Sequence, residues 1–212
     1  MKTLKVFTSV LLVSCFAIIS AGCAGGKSFG PQELAEYAEK QGAEQYKDVD
    51  EWCDAFYNLD EDIVDNKDGA YINTKDDIRT AVEPIFDLSV ANPNEITCYC
   101  IRYHELSCSF TSMAFIDSNS AKLYFETLTD NVQTSNSDLE DYCYNKTESD
   151  AKKTISVITC WGDDDLYVCS GYYYNYVEDN ILRFNCIGKK KDVVKIVEDL
   201  CKEFDLESPT TL

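Results

Sequence analysis

From residue 153 onward the chain alternates β-rich runs with short polar turns and then closes on one amphipathic helix, an order that admits few architectures. The runs 153–161, 166–177 and 181–187 are rich in Ile, Val, Thr and Tyr, and Gly162–Asp165 and Glu178–Asn180 divide them. Such residues favour strands, whereas Gly, Asp and Asn favour the turns between them. Val193, Ile196, Val197, Leu200, Cys201 and Phe204 recur at helical spacing and predict a helix over about 190–204. Strands joined by turns this short pair antiparallel. The helix must then bury its stripe on the sheet they form.

The earlier part of the chain repeats that order less cleanly. Strands are predicted at 95–103 and 106–116, joined near Tyr103–Glu105, followed by a helix from Asp117–Ser120 with Ala121, Tyr124, Phe125 and Leu128 inward. Before them, helical pieces are predicted from Pro31 to Gln41-Gly42, over 48–59, and from Thr74 through Phe86; the first two are compatible with one bent helix. The stretch Asp60–Asn73 reads as turn-rich, and 131–138 as a polar bridge. The expected fold is α+β over 31–206, an antiparallel sheet with helices packed on one face and a frayed tail at 207–212. The order allows two similar hairpin–helix halves, 31–132 and 139–206, with Phe115 and Phe184 at comparable points, although no residue-level repeat accompanies it.

Charge excludes partners. The chain carries 38 Asp and Glu against 19 Lys and Arg, a net −19. Yet 45% of residues are apolar and 12% aromatic, so it is no disordered acidic tail. Nucleic acid and anionic headgroups would be repelled by this surface, and no nucleic-acid partner is expected.

The N-terminus has the order of an export signal. Lys2 and Lys5 precede the mostly apolar run Val6–Ile19, whose 14 residues fall short of the ~20 a membrane-spanning helix needs. Ser20-Ala21-Gly22-Cys23 follows and resembles the lipobox of bacterial lipoproteins, with Ala21, Gly22 and Cys23 matching and Ser20 standing where Leu is usual. The resemblance implies cleavage after residue 22, acylation of Cys23 (palmitate-type chains) and membrane attachment facing outside the cytoplasm. Residues 23–30 would then be a lipid-anchored tether. Loss of the signal removes two Lys and no acid, taking the net charge from −19 to −21.

Of the 11 Cys, Cys15 lies in the signal and Cys23 at its end, leaving nine, which cannot all pair within one chain. A three-residue turn at Tyr103–Glu105 would set Cys100 opposite Cys108, and a two-residue turn at Asp164-Asp165 would set Cys160 opposite Cys169. These two pairs are the candidate disulfides. Cys53 and Cys201 read as buried small apolar residues.

No metal site is expected. Cys98, Cys100, His104 and Cys108 supply ligand types, but His104 falls at a hairpin tip roughly 13 Å along the strand from Cys100. The segment Asp65–Asp76 resembles a calcium loop around Asn66, Asp68 and Gly69, yet Val64 and Lys75 occupy positions that need acids. No cofactor motif, G-x-S-x-G elbow or phosphate-binding Gly loop appears. Strand alternation sends Tyr172, Tyr174 and Tyr176 to one face and Tyr173 to the other. An open three-ring face would stack on sugars; a covered one would be packing. The expected function is a non-catalytic binding or interaction domain of a membrane-anchored lipoprotein, its protein or glycan partner unnamed. The alternatives are a glycan-binding surface on those three tyrosines and a hydrolase with unmarked carboxylates.

Overall fold

The computed structural model describes residues 27–56, 66–75, 93–130, 132 and 142–209. Its elements are α1 (Pro31–Lys40), β1 (Glu44–Tyr46), α2 (Val49–Phe56), β2 (Asn66–Thr74), β3 (Pro93–Tyr103), β4 (Leu106–Phe115), α3 (Ser118–Thr129), β5 (Cys143–Ser149), β6 (Thr154–Gly162), β7 (Tyr167–Asn175), β8 (Asn180–Gly188) and α4 (Lys190–Glu203). The eight strands form one sheet in the order β1-β2-β3-β4-β8-β7-β6-β5. Only the β1–β2 pairing is parallel. The α+β class and the antiparallel sheet are as the sequence indicates.

The placement of the helices corrects the one-face expectation. Residues 96–101 of β3 are buried without a break, so this strand hides both of its faces and needs cover on each. α1 and α4 pack on one face, with Leu34, Tyr37, Val193, Val197 and Leu200 against Tyr99, Phe110, Leu182 and Phe184. α2 and α3 cover the other, where Trp52, Tyr124 and Phe125 meet Ile96, Cys98, Met113, Tyr174 and Ile181. The sheet is the middle layer of three.

That layering also bears on the two halves. The strands divide evenly, β1–β4 on one side and β5–β8 on the other, meeting at β4 and β8. A two-fold relating antiparallel neighbours leaves each sheet face on its own side, so repeated halves would send both following helices to the same face. α3 and α4 go to opposite faces, and Phe115 and Phe184 lie in opposite layers. The halves match in strand number and order but differ in the direction of their outermost strand and in the face their helices cover.

Three further expectations change. α1 and α2 are separate helices with β1 between them, because Gly42 takes φ 86 and turns the chain. The supposed turn-rich stretch is instead strand β2 from Asn66 on, and Gly69 at φ 82 sits where the β2–β3 register shifts, so its glycine serves a bulge. The segment 24–30 is shorter as a tether than expected. Phe29 is wholly buried, its carbonyl accepts from Ser112 Oγ at 2.7 Å, and the Pro31 carbonyl accepts from Thr97 Oγ1 at 2.7 Å. An aromatic side chain this apolar belongs in the core rather than in a linker. The helix expected over 74–86 and the polar bridge 131–138 lie, in whole or in large part, outside the described residues.

Candidate functional site

At one end of the sheet the chain builds a cavity of about 450 Å³ between the β3–β4 hairpin tip, the end of α1 and the first half of α4. The hairpin turns through only His104 and Glu105, with Tyr103 opposite Leu106 and His104 at φ 51. Lys189, just before α4, places its Nζ 2.9 Å from Glu105 Oε2 and so fastens the helix start to the hairpin tip. The hydrogen bond to Glu105 and its charge hold the Lys189 ammonium above its ordinary pKa. Tyr99, Ile101, Leu106 and Ile196 supply the apolar wall, and the Tyr99 hydroxyl donates to the Asp68 carbonyl at 3.1 Å. The Tyr103 and His104 rings lie 3.9 Å apart at the rim.

The charge of this lining departs from that of the chain. Lys67, Lys189, Lys191 and Lys195 line it, against Asp68, Glu105, Asp192 and Asp199. Equal numbers of each sign set this lining apart from a chain with twice as many acids as bases. A neighbouring hollow, bounded by Asp164, Asp165 and Lys189–Lys191, continues around the α4 N-terminus. A helix N-terminus favours negative charge, and the lysines reinforce it.

The cavity lies far from the chain's entry into the fold. Thr97 and Ser112, which hold the Pro31 and Phe29 carbonyls, are paired with each other at the opposite end of the β3–β4 hairpin. Six residues separate Thr97 from Tyr103, roughly 20 Å of strand.

The tyrosines expected as a surface do share a face, but it is not an open one. Tyr174 is buried beneath α3, its ring 5.6 Å from Phe125, and its hydroxyl donates to the Ser118 carbonyl at 3.5 Å or Asp179 Oδ1 at 3.4 Å. Tyr172 and Tyr176 are half-buried beside it, with the Arg183 guanidinium 5.7 Å above the Tyr172 ring. The stripe Ala121, Tyr124 and Phe125 needs an apolar partner, and this face provides it. Sugar stacking requires the three rings exposed together, a condition the fold does not meet.

The candidate disulfides separate. Because the first hairpin turn has two residues instead of three, Cys108 pairs with Ile101 and Cys100 with Ser109, which puts the two cysteines in opposite layers. Cys100 and Cys108 therefore cannot bridge without a register change. Cys160 does stand opposite Cys169, their Sγ atoms 3.0 Å apart, both as free thiols. Cys201 is buried on α4, and burial pushes its thiol up to about 11. Cys53 packs at the margin of the α2–α3 layer. Cys23 lies outside the described residues.

The cavity went unseen in the sequence because its walls come from four separate segments. One local signal was available: Lys189-Lys190-Lys191 is a run of three bases in an acidic chain, set where a helix begins.

A scan against family models and a search of curated proteins each found no match. Among solved structures, the extracellular domain of PknH from Mycobacterium tuberculosis matches at a TM-score of 0.34 and 15% identity, over 58% of this chain and 71% of that one. No helix among the described residues is long and apolar enough to cross a membrane.

Proposed function

We propose that this protein is a lipid-anchored binding domain outside the cytoplasmic membrane, and that the hairpin-tip cavity takes a small ligand with an anionic group and an apolar or aromatic body. The observation that carries the reading is the cavity lining, in which Lys67, Lys191 and Lys195 face Tyr99, Ile101 and Ile196. Pockets that combine an apolar wall with a few charged groups orient small molecules. Among the described residues no ion pair engages Lys191 or Lys195, so their ammonium groups are available to a ligand.

The anchor reading rests on Ser20-Ala21-Gly22-Cys23, and the buried Phe29 fixes where the domain begins relative to it. From Cys23 to Lys27 the chain reaches at most about 14 Å, which would hold the domain close to the bilayer by the Phe29 end. The cavity, at the other end of the hairpin, would face away from the lipid. Two or more acyl chains make such attachment stable.

A binding role is preferred to catalysis on electrostatic grounds. Among the described residues, the carboxyls displaced from their ordinary range, Asp117, Asp163 and Glu203, are all displaced downward, by hydrogen bonds from backbone or side chains. General acids are displaced upward. None of the three lines the cavity.

The test is an NMR titration of the full chain in detergent micelles with phenyl phosphate, and with benzylamine as the cationic counterpart. Phenyl phosphate should shift the Tyr103, Lys191 and Lys195 resonances, and Lys191→Glu with Lys195→Glu should weaken it about tenfold or more. Equal shifts with benzylamine, or none with either, would contradict the reading.

A further inference from the structure

Five of the cysteines stand in a single line across five adjacent strands. Cys143 of β5 pairs with Cys160 of β6, Cys160 with Cys169 of β7, Cys169 with Cys186 of β8, and Cys186 with Cys108 of β4. All five side chains point into the layer beneath α4. Antiparallel ladders alternate closer and wider residue pairs, so along such a line every second link brings its side chains nearer. The thiol contacts follow that rule: Cys160 and Cys169 are 3.0 Å apart, Cys108 and Cys186 are hydrogen-bonded, and Cys143 is left over. Four of the five are almost fully buried. Cys143 lies on the outermost strand and keeps partial exposure.

We propose that this row is a thiol–disulfide relay, in which an external small organic disulfide reacts at Cys143 and the bond passes inward to rest between Cys160 and Cys169. The Cys143 thiolate attacks one sulfur of the organic disulfide, forming a mixed disulfide and releasing one thiolate. The Cys160 thiolate then attacks the Cys143 sulfur, forming Cys143–Cys160 and releasing the second organic thiolate. Finally the Cys169 thiolate attacks the Cys160 sulfur, and Cys143 leaves as a thiolate that takes up a proton. In total two protein thiols are oxidised and one organic disulfide is reduced to two thiols. Each step is sulfur-to-sulfur exchange, for which attacking, central and leaving sulfurs must align. A straight row across the ladder supplies that alignment, and Cα separations of about 4.5–5.5 Å along it suit a disulfide at each link.

The surroundings divide the roles. The hydrogen bond from Cys169 holds the Cys160 thiol below its ordinary pKa; burial opposes this, and the Tyr167 hydroxyl and the Lys190 charge add to the lowering. The same bond and burial push Cys169 up. Cys160 is thereby the readier nucleophile and Cys169 the final acceptor, reached after the bond has entered the core. Such a bond closes the β6–β7 hairpin and needs no movement of the strands beyond the present 3.0 Å contact.

The experiment treats the full chain, folded and in detergent, with oxidised glutathione, quenches it in acid at intervals, alkylates free thiols after denaturation and maps the linkages by mass spectrometry. The wild type should accumulate Cys160–Cys169. Cys143→Ser, a change at the half-exposed edge, should reach the same linkage at least about tenfold more slowly. Cys169→Ser should stop at Cys143–Cys160. A different final linkage in the wild type, or an unchanged rate in Cys143→Ser, would overturn the relay; the wild-type map does not depend on any variant folding.

Discussion

Gly171 faces Phe184 across the β7–β8 ladder, and a Cβ there would lie 2.3 Å from the Phe184 ring. The ring cannot retreat, since it is wholly buried between Phe110 and Tyr173 with centroids 6.5 and 6.1 Å away. Gly171→Ala should therefore destabilise the fold by about 1–3 kcal/mol, read as a lower urea midpoint at unchanged slope. An unaltered midpoint would show that the layer yields. The cysteines show how finely sequence reasoning resolves single residues. The register of Cys160 and Cys169 followed from a turn centred on Asp164-Asp165, whereas one residue of error in the turn at His104-Glu105 sent Cys108 to the wrong side of the sheet. Side-chain alternation has period two, so a one-residue error is a complete one.

At the scale of elements, the β6–β7 loop is held by Asp163, whose Oδ1 accepts from the Asp165 and Leu166 amides at 2.9 Å each. These bonds hold its carboxyl below the ordinary carboxylate range in the folded state. A carboxyl depressed on folding contributes stability that is full above its unfolded pKa and lost as pH falls through its folded one. The Tm difference between wild type and Asp163→Ala should thus be constant near neutrality and shrink below the unfolded value of about 3.9. A difference independent of pH down to 2 would contradict this account. The elements legible in the sequence were those with strong periodicity: α1, α2, α3, α4, and strands β3, β4, β6, β7 and β8. β5 was missed because Cys143–Ser149 is polar at most positions, as befits the last strand of a sheet. β2 was missed because Asn66, Asp68 and Gly69 are turn residues by type, here used to form a bulge.

For the whole molecule, the sequence carried the fold class, while the layering and the cavity needed the third dimension. Helical stripes indicate that a helix is covered, not which sheet face covers it; only the unbroken burial of β3 decides that both faces are closed. The cavity likewise joins Lys67, Tyr103, Lys189 and Lys195, which are dispersed along the chain. If Cys23 carries the proposed anchor, the buried Phe29 end would lie toward the membrane and the cavity, at the other end of the hairpin, away from it. The proposed attachment through Cys23 would also keep a chain of net charge −21 after signal removal beside an anionic surface that would otherwise repel it. The most direct test is membrane fractionation of the full chain and of Cys23→Ala expressed in a bacterial host. The wild type should sediment with membranes and resist high salt, and Cys23→Ala should appear in the soluble fraction; a variant that remains membrane-bound would contradict the anchor and the orientation that follows from it.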